Sequence, residues 1–469
     1  MKVGLYMKQN EETAENLSEH SINGGETIKF TEKIGFGFGD LAVNFSWASL
    51  GMFIVYFYTD IVGLGAGIVG TIMLFSRFLD GISDVAMGAI VDKTNSKYGK
   101  ARPWILWLCI PFSILTVALF TVPDISYIGK VVYVVISYNL LVLAFTSVVI
   151  PYGTLNTLIT QDKTQREVLN LFRMFFAQIG VLIVTNLTLP LVDQFGGEQS
   201  GWVITYSIFA TIAALLFLTT FKTTKERVKP IVKKHNKKVK LKDSLKTLSK
   251  NKYWVIVFLY FIVFSIGDGL RQGSTVYYAD NILNSPGLVG ILTIAFTVPV
   301  ILGFFLLKPF FKKYGKRNAI ILGSVISIIG CLVVLIKPES TGVIIISQII
   351  RGVGSAPLIG ALWALLPDTI EFGEWKTGIR NEGVLYSGGS MGQKIGIGVG
   401  TASVGWILAI GGYNGQLSMQ PNSAITSIYV VFVFLPILIY VFQIILMYFY
   451  KLDKFYSKIA NDLEIRRNT

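Results

Sequence analysis

Two carboxylates and a guanidinium share one face of a segment apolar enough to lie in lipid. In the stretch from Gly67 to Val91, Arg77, Asp80 and Asp84 stand at i, i+3 and i+7, which on a helix places them in one row. A charge near the bilayer centre costs about 2.5–3.5 kcal/mol on insertion scales. A span carrying three such charges must turn them toward a watery or ion-bearing interior. The carboxylates sit one turn apart, about 6 Å along the axis. Oxygen-rich groups at that spacing suit a small monovalent cation, since hard cations prefer oxygen ligands. Ser83, between them in sequence, and Thr146, two spans later, supply hydroxyls. The pair can equally share a proton, with Arg77 opposing it, so Na⁺ and H⁺ both stay open. The alternative to an ion site is a self-neutralising packing cluster.

Further polar residues interrupt other apolar runs. Asp40, Asn44 and Trp47 fall on one face of the first span. A carboxylate accepts sugar hydroxyls and an indole offers a flat surface to the C–H face of a ring; an ordinary amphipathic helix end is the alternative. The fifth span carries Arg173 and Gln178, and the seventh carries Asp268, Arg271 and Gln272. The last three form either a binding group or an internal ion pair. Arg351 lies in the tenth span and Lys394, among glycines, in the eleventh. Lys394 is expected to contact substrate or to neutralise the acidic site.

The elements that must position these residues are membrane helices. The chain has 469 residues, is 52% hydrophobic and only 15% charged, with a mean hydropathy of +0.59; soluble domains are charged at about 25%. About twelve stretches reach the roughly 20 apolar residues that a crossing needs. Their centres lie near Ser49, Phe78, Pro111, Val142, Val184, Ala213, Phe264, Phe296, Ser327, Val353, Gly396 and Pro436. The fold class is therefore an all-α membrane protein. Residues 1–32 read as a polar tail without a signal-peptide pattern, 33–221 as a first six-helix bundle, and 222–252 as a basic loop. Residues 253–451 form a second six-helix bundle and 452–469 a C-terminal tail.

Orientation follows from the Lys and Arg of short loops. Lys93, Lys97, Lys100 and Arg102 crowd loop 2–3, and Lys308, Lys312, Lys313, Lys316 and Arg317 crowd loop 8–9. The 222–252 loop holds thirteen Lys and Arg against Glu226 and Asp243, a net +11 of the formal +14. These loops and both termini are expected in the cytoplasm, in a multi-pass protein of the cell membrane. The basic loop reads as a topology determinant and not as a nucleic-acid or anionic-lipid site. Cys109 and Cys331 lie in separate apolar spans, and His20 and His235 in polar segments. Those positions argue against a disulfide framework and a histidine relay. There is no Walker A or H-E-x-x-H pattern and no nucleophile–base pair, so an enzyme is not expected, nor any cofactor beyond a co-transported Na⁺ or H⁺.

The chain also repeats itself. Lys97-Tyr98-Gly99-Lys100 follows the second span, and Lys313-Tyr314-Gly315-Lys316 follows the eighth; the offset from Lys97 to Lys313 also carries Pro151 to Pro367. Two parallel six-helix repeats around a central cavity are the major-facilitator architecture. Applied to Arg77, Asp80 and Asp84, the offset lands on Thr293, Phe296 and Val300. The charged face thus exists in the first half alone, which favours a functional role over a packing one.

These residues resemble a known family. Asp80-Gly-Ile-Ser-Asp84 followed by Tyr98-Gly-Lys-Ala-Arg-Pro-Trp104 is similar to the glycoside–pentoside–hexuronide cation symporters. So are Gly35-Phe-Gly-Phe-Gly-Asp40 and the run from Pro367-Asp-Thr-Ile-Glu through Trp375 to Glu382. The resemblance covers nearly the whole chain in order. It implies that Asp80 and Asp84, with Ser83 and Thr146, hold the coupling cation, a metal site if that cation is Na⁺. It also implies that Asp40, Arg173 and Lys394 serve sugar binding and coupling. The best-known member, melibiose permease, has an Asp and a Trp flanking Ile-Pro-Phe in helix 4, where this chain has Val149-Ile-Pro-Tyr-Gly153. The resemblance is therefore nearer the xyloside and glucuronide branch, in which Arg271 would face the sugar or its carboxylate.

The expectation is a secondary active transporter importing a glycoside by symport with Na⁺ or H⁺ through alternating access. Asp40, Asn44, Trp47, Arg173, Gln178, Arg271 and Lys394 are expected to bind substrate. Arg77, Lys97, Lys100, Lys313, Lys316 and Arg351 are expected to couple or gate the halves. The partners are then a small-molecule glycoside, a monovalent cation and the lipid bilayer, with no nucleic acid. The alternatives are a cation-coupled symporter of amphiphilic lipids on the same fold and a membrane sensor that binds sugar without moving it.

Overall fold

The computed structural model describes residues 28–160, 162–228, 251–377, 382–417 and 419–468. Most of the polar N-terminal tail, the basic loop over 229–250 and positions 378–381 of the 10–11 motif lie outside that set. The described residues are helical, without a β-strand. Apolar runs have no water to satisfy backbone N–H and C=O groups in lipid, so they close those bonds internally as helices. Eleven helices are long and apolar enough to cross a bilayer, and a twelfth crossing is a bent pair.

That bent span is α1, Phe30–Met52, which continues as Ile54–Ile61 at 58°. There follow α2 (Ala66–Lys93), α3 (Arg102–Phe120), α4 (Tyr127–Ile159), α5 (Lys163–Gln194) and α6 (Gln199–Thr223). The second set opens with α7 (Lys252–Asn281). The run Leu288–Val333 is folded at Gly315, whose φ is 78°; α8 is the part before that glycine and α9 the part after it. Then come α10 (Thr341–Thr377), α11 (Glu382–Ile410) and α12 (Asn422–Phe449), with α13 (Tyr456–Asn468) after the last span. Each expected centre falls inside the corresponding helix. Side-chain caps hold three starts: Ser126 accepts from Gly129 N, Asp162 from Gln165 N and Asn251 from Trp254 N, filling donors that a helix start leaves free.

Packing reproduces the repeat. In the first set α1 packs on α5 and α6, α3 on α4 and α6, and α2 on α4; in the second, α7 packs on α11 and α12. The two sets meet through α2 with α11, α5 with α8, and α1 with α7. Under the repeat α2 corresponds to α8 and α5 to α11, so the first two seams are one contact made twice. The repeated loops share geometry too. Gly99 and Gly315 both have positive φ, a conformation glycine adopts without steric cost. Lys97 lies 5.0 Å from the Tyr98 ring and Lys313 lies 5.1 Å from that of Tyr314. Each loop is capped by an acid that follows the last helix of its own set. Glu226 accepts from the backbone N–H of Lys100, Ala101 and Arg102 at 2.8, 2.8 and 2.9 Å. Asp453 accepts from Arg317 N at 2.9 Å.

Glycines set how closely the helices approach. Gly35, Gly37 and Gly39 rotate round α1 and abut Thr223 of α6, Phe176 of α5 and the Tyr152 ring of α4. Along α11, Gly396 and Gly400 lie against backbone carbonyls of Ile262 and Ile266 in α7. On another side of the same helix, Gly398 meets the Arg77 side chain and Gly405 the carbonyl of Ala66. Small residues at such contacts let backbones touch, which accounts for the glycine-rich eleventh span.

Candidate functional site

The row Arg77–Asp80–Asp84 faces inward at the seam of α2, α4 and α11. Asp80 is fully buried. Thr146 Oγ1 of α4 stands 3.1 Å from Asp80 Oδ1 and 3.3 Å from Asp84 Oδ1, one hydroxyl proton between two acceptors. Ser83 Oγ is 3.1 Å from Thr146 Oγ1 and donates to Asp80 O at 2.8 Å. From the other half, Lys394 Nζ donates to Asp80 Oδ1 at 3.1 Å and also to Asp84 Oδ2. Arg77 Nη1 lies 3.6 Å from Asp80 Oδ2, an ion pair without hydrogen-bond geometry. The four cation-site residues expected from sequence are thus gathered at one point. Lys394 joins them, so in this structure it lies on the acids, the second of its two expected places. Two carboxylates and two hydroxyls, the donor type that hard cations prefer, stand together here, and the Lys394 ammonium lies on both carboxylates.

Exposure grades along this row. Arg77 and Asp80 are sealed, whereas the side chains of Asp84 and Lys394 are 25% and 22% exposed. On α2, Asp84 lies on the side of Asp80 nearer the termini. Exposure along the row thus rises toward the end of the molecule that carries the termini.

A second polar group lies on α1 and α5. Arg173 holds Asp40 through Nε at 2.6 Å and Nη2 at 3.4 Å, a two-pronged pairing suited to a planar guanidinium. The same guanidinium lies 4.7 Å from the Tyr152 ring centre, and Tyr152 OH donates to Phe36 O at 2.5 Å. Asp40 and Arg173 remain 15% and 23% exposed. Asn44 donates back to Asp40 O at 2.8 Å, which makes it part of the α1 wall. Trp47 stacks on Phe145, ring centres 4.4 Å apart, and the Arg77 guanidinium lies 4.7 Å from it. One helix face, about 10 Å from Asp40 to Trp47, thus joins the Asp40–Arg173 pair to the acidic site. Trp47 is a link between the two groups more than a free sugar platform.

Other expected residues lie elsewhere. Gln178 is five positions past Arg173, about 140° round α5, and so is off the Asp40-facing side. Arg271 pairs with Asp268 at 2.8 Å, while Gln272 Nε2 donates to the other carboxylate oxygen at 2.8 Å. The pair lies in the second half, with Asp268 and Arg271 32% and 16% exposed; it lines a pocket with Phe296 and Tyr440, and Arg271 is 4.2 Å from the Phe296 ring centre. Arg351 is 1% exposed and enclosed by α9 and α12, against Gly330 and 5.2 Å from the Phe432 ring centre. It is walled inside one half and does not stand at a gate. Lys316 Nζ binds Asp368 at 2.7 and 2.8 Å and Ala364 O at 2.8 Å, again within its own half. The contacts seen for Lys97, Lys313 and Lys316 brace each half separately and do not latch the two together.

Sequence reasoning passed over Glu226 and Asp453, which look like ordinary loop acids until the fold places them on the repeated glycine turns. It also passed over Asp60 and Asp280 at the ends of α1 and α7, where acids are common. The available signal was that both follow aromatic residues inside spans: Tyr56 to Tyr58, and Tyr277 and Tyr278.

Comparison with known proteins matches this arrangement. A family model described as MFS/sugar transport protein covers residues 35–454. The isoprimeverose transporter of Lactiplantibacillus pentosus is 32% identical over 443 residues, 93% of this chain and 92% of that one. The inner membrane symporter YicJ of Escherichia coli K12 is 32% identical over 444 residues, 94% of each. In fold, the chain is similar to a bacterial homolog of the human lysosomal transporter Spinster, solved in an inward-facing and unoccupied conformation. The TM-score is 0.64 at 13% identity, covering 93% of this chain and 99% of that one.

Proposed function

The chain belongs to the MFS/sugar transport protein family, and on that premise we propose how its residues divide the work of symport. It is a secondary active transporter of the glycoside–pentoside–hexuronide group, a glycoside–cation symporter and not an enzyme. Asp80, Asp84, Thr146 and Ser83 hold the coupling cation. Two hydroxyls stand there with the carboxylates; a proton needs no such set of oxygens, so the reading favours Na⁺. Asp40 and Arg173, on their Tyr152 shelf, take the glycoside hydroxyls. Isoprimeverose, which gives the Lactiplantibacillus relative its name, is the first glycoside to try there. The protein sits in the cell membrane with both termini in the cytoplasm, on the strength of the basic loops, so the observed state is open inward.

The observation that carries this reading is Lys394 on Asp80 and Asp84. When Na⁺ enters, it displaces the ammonium from the carboxylates. The α2–α11 link is then released, and Lys394 becomes free to meet a glycoside lying between the halves. Cation and glycoside thereby favour the same arrangement, and each raises the affinity of the other by the same factor.

The test is Asp84→Asn in membrane vesicles, with glycoside uptake driven by an imposed Na⁺ gradient or, separately, a proton gradient. Uphill accumulation should vanish under the Na⁺ gradient while glycoside exchange at equilibrium persists. Accumulation that survives intact removes the cation-site assignment, and accumulation driven by protons alone removes Na⁺.

A further inference from the structure

At the far end of the molecule the two halves are tied by residues that neither the cation site nor the glycoside site uses. Tyr413, just past α11, donates its hydroxyl to Asp60 Oδ1 on the last turn of α1 at 2.6 Å. Thr59 Oγ1 lies 2.8 Å from Tyr277 OH of α7 and 2.5 Å from Asp60 Oδ2. Tyr56 OH donates to Asp280 Oδ2 of α7 at 3.4 Å, and Gln416 Nε2 donates to Asp60 O at 2.9 Å. Among the described residues, neither Asp60 nor Asp280 has a Lys or Arg at ion-pair distance. Their partners are hydroxyls and amides, which water can replace when the seam opens.

The seam below these bonds is closed backbone to backbone. A Cβ on Gly70 of α2 would stand 2.7 Å from Ala402 O of α11, and Gly405 of α11 lies against Ala66 O. No sugar passes such a contact. An opening toward the far end must part α1 and α2 from α7 and α11, which breaks the bonds above that cross the seam, from Tyr413, Gln416, Tyr277 and Asp280 to α1.

Resting on the alternating-access reading, we infer that Tyr56, Thr59 and Asp60 of α1, with Tyr277, Asp280 and Tyr413 of the second half, are the latch of the outer gate. The set exists only while the far end of the carrier is closed. It supplies free energy to that state alone, so weakening it moves the population toward the outward-open state. Apparent affinity on one side of a carrier scales with the fraction of molecules open to that side. Latch variants therefore bind external glycoside more tightly while turning over more slowly, because the inward-open state has lost support. A merely structural role predicts the opposite sign for affinity.

The experiment uses the full-length protein in vesicles, with Cys109 and Cys331 replaced by Ser and one cysteine placed at Gln272, which lies against Gly51 of α1 behind the latch. A membrane-impermeant maleimide is added from outside. Tyr413→Phe removes one hydroxyl and keeps the ring; labelling should quicken and the external KM should fall, each by about threefold or more, with maximal uptake reduced. Thr59→Val, on a different bond of the same latch, should move both readings in the same direction. Asp60→Asn combined with Tyr413→Phe should be less than additive. Unchanged labelling, or a raised KM in both variants, overturns the latch. If the parent carrier still accumulates glycoside on the Na⁺ gradient, that failure belongs to the latch alone; if it does not, the transport reading fails with it.

Discussion

Lys394 on α11 reaches across the seam to Asp80 on α2, Nζ to Oδ1 at 3.1 Å, and so pins the two halves together at the acids proposed to receive the cation. On that proposal the ammonium and the cation compete for the same carboxylate oxygens. That competition ties occupancy of the site to separation of α2 from α11.

Lys394→Gln removes the competitor. The cation should then bind more tightly, by about tenfold, a change of roughly 1.4 kcal/mol. Gradient-driven glycoside accumulation should nevertheless collapse, because the empty site no longer has a partner that stabilises its return. Cation titration of glycoside binding in vesicles measures the first effect, and uptake under an imposed gradient measures the second. A weakened cation affinity would show that Lys394 organises the site instead of competing for it.

Arg173→Lys keeps the charge but loses the two-pronged grip on Asp40 and the planar contact with Tyr152. Arg and Lys are not interchangeable at a bidentate, stacked position. Glycoside affinity should fall by about tenfold or more, on the order of 1.5–3 kcal/mol for a lost charge-assisted bond. Cation binding, which uses other residues, should persist. Parallel losses of both would mean that the substitution had disturbed α1 as a whole.

Gly70→Leu addresses the seam. Any Cβ at this position meets a backbone carbonyl of α11, which cannot swing aside as a side chain could. The variant should be unable to close its far end. External glycoside binding survives, transport is lost, and a cysteine at Gln272 becomes freely labelled from outside. A variant that still transports at the parental rate would show that α2 and α11 close without this contact.

Glu226→Ala and Asp453→Ala test the repeated loop caps. Glu226 accepts three backbone N–H bonds and Asp453 one. Removing an acceptor from half-buried donors costs about 1–3 kcal/mol. Thermal unfolding in detergent should show both variants weakened, Glu226→Ala the more. Equal effects would place the stabilisation elsewhere in the loops.

The helices were legible because lipid demands long apolar runs. The acidic site was legible because charges inside such runs are costly and their i, i+3, i+7 spacing fixes a common face. The repeated Lys-Tyr-Gly-Lys motif foretold paired loops, and both carry the same positive-φ glycine. Pairing across the seam was not legible. Lys394 and Asp84 belong to opposite halves of the chain, and nothing in local periodicity says which interior group a lone lysine meets. Arg351 shows the converse: a charged residue inside a span was expected at a gate, and packing by Gly330 and Phe432 shut it within one half. Trp47 had the right face but a different neighbour, since only the fold reveals that Arg77 already lies against it. Asp60 and Asp280 escaped notice because acids at span ends are ordinary until two halves close over them.

On the proposed cation reading, the acidic site also sets how the membrane voltage acts. Arg77 and Lys394 against Asp80 and Asp84 sum to zero formal charge in the empty carrier. One bound monovalent cation makes the loaded site +1. With a neutral glycoside, the loaded carrier moves a net positive charge across the field and the empty one returns none. An inside-negative potential contributes about 2.3 kcal/mol per 100 mV for each full charge moved, all of it on the loaded step. On that reading the loaded step, and not the empty return, is where this site couples to the voltage.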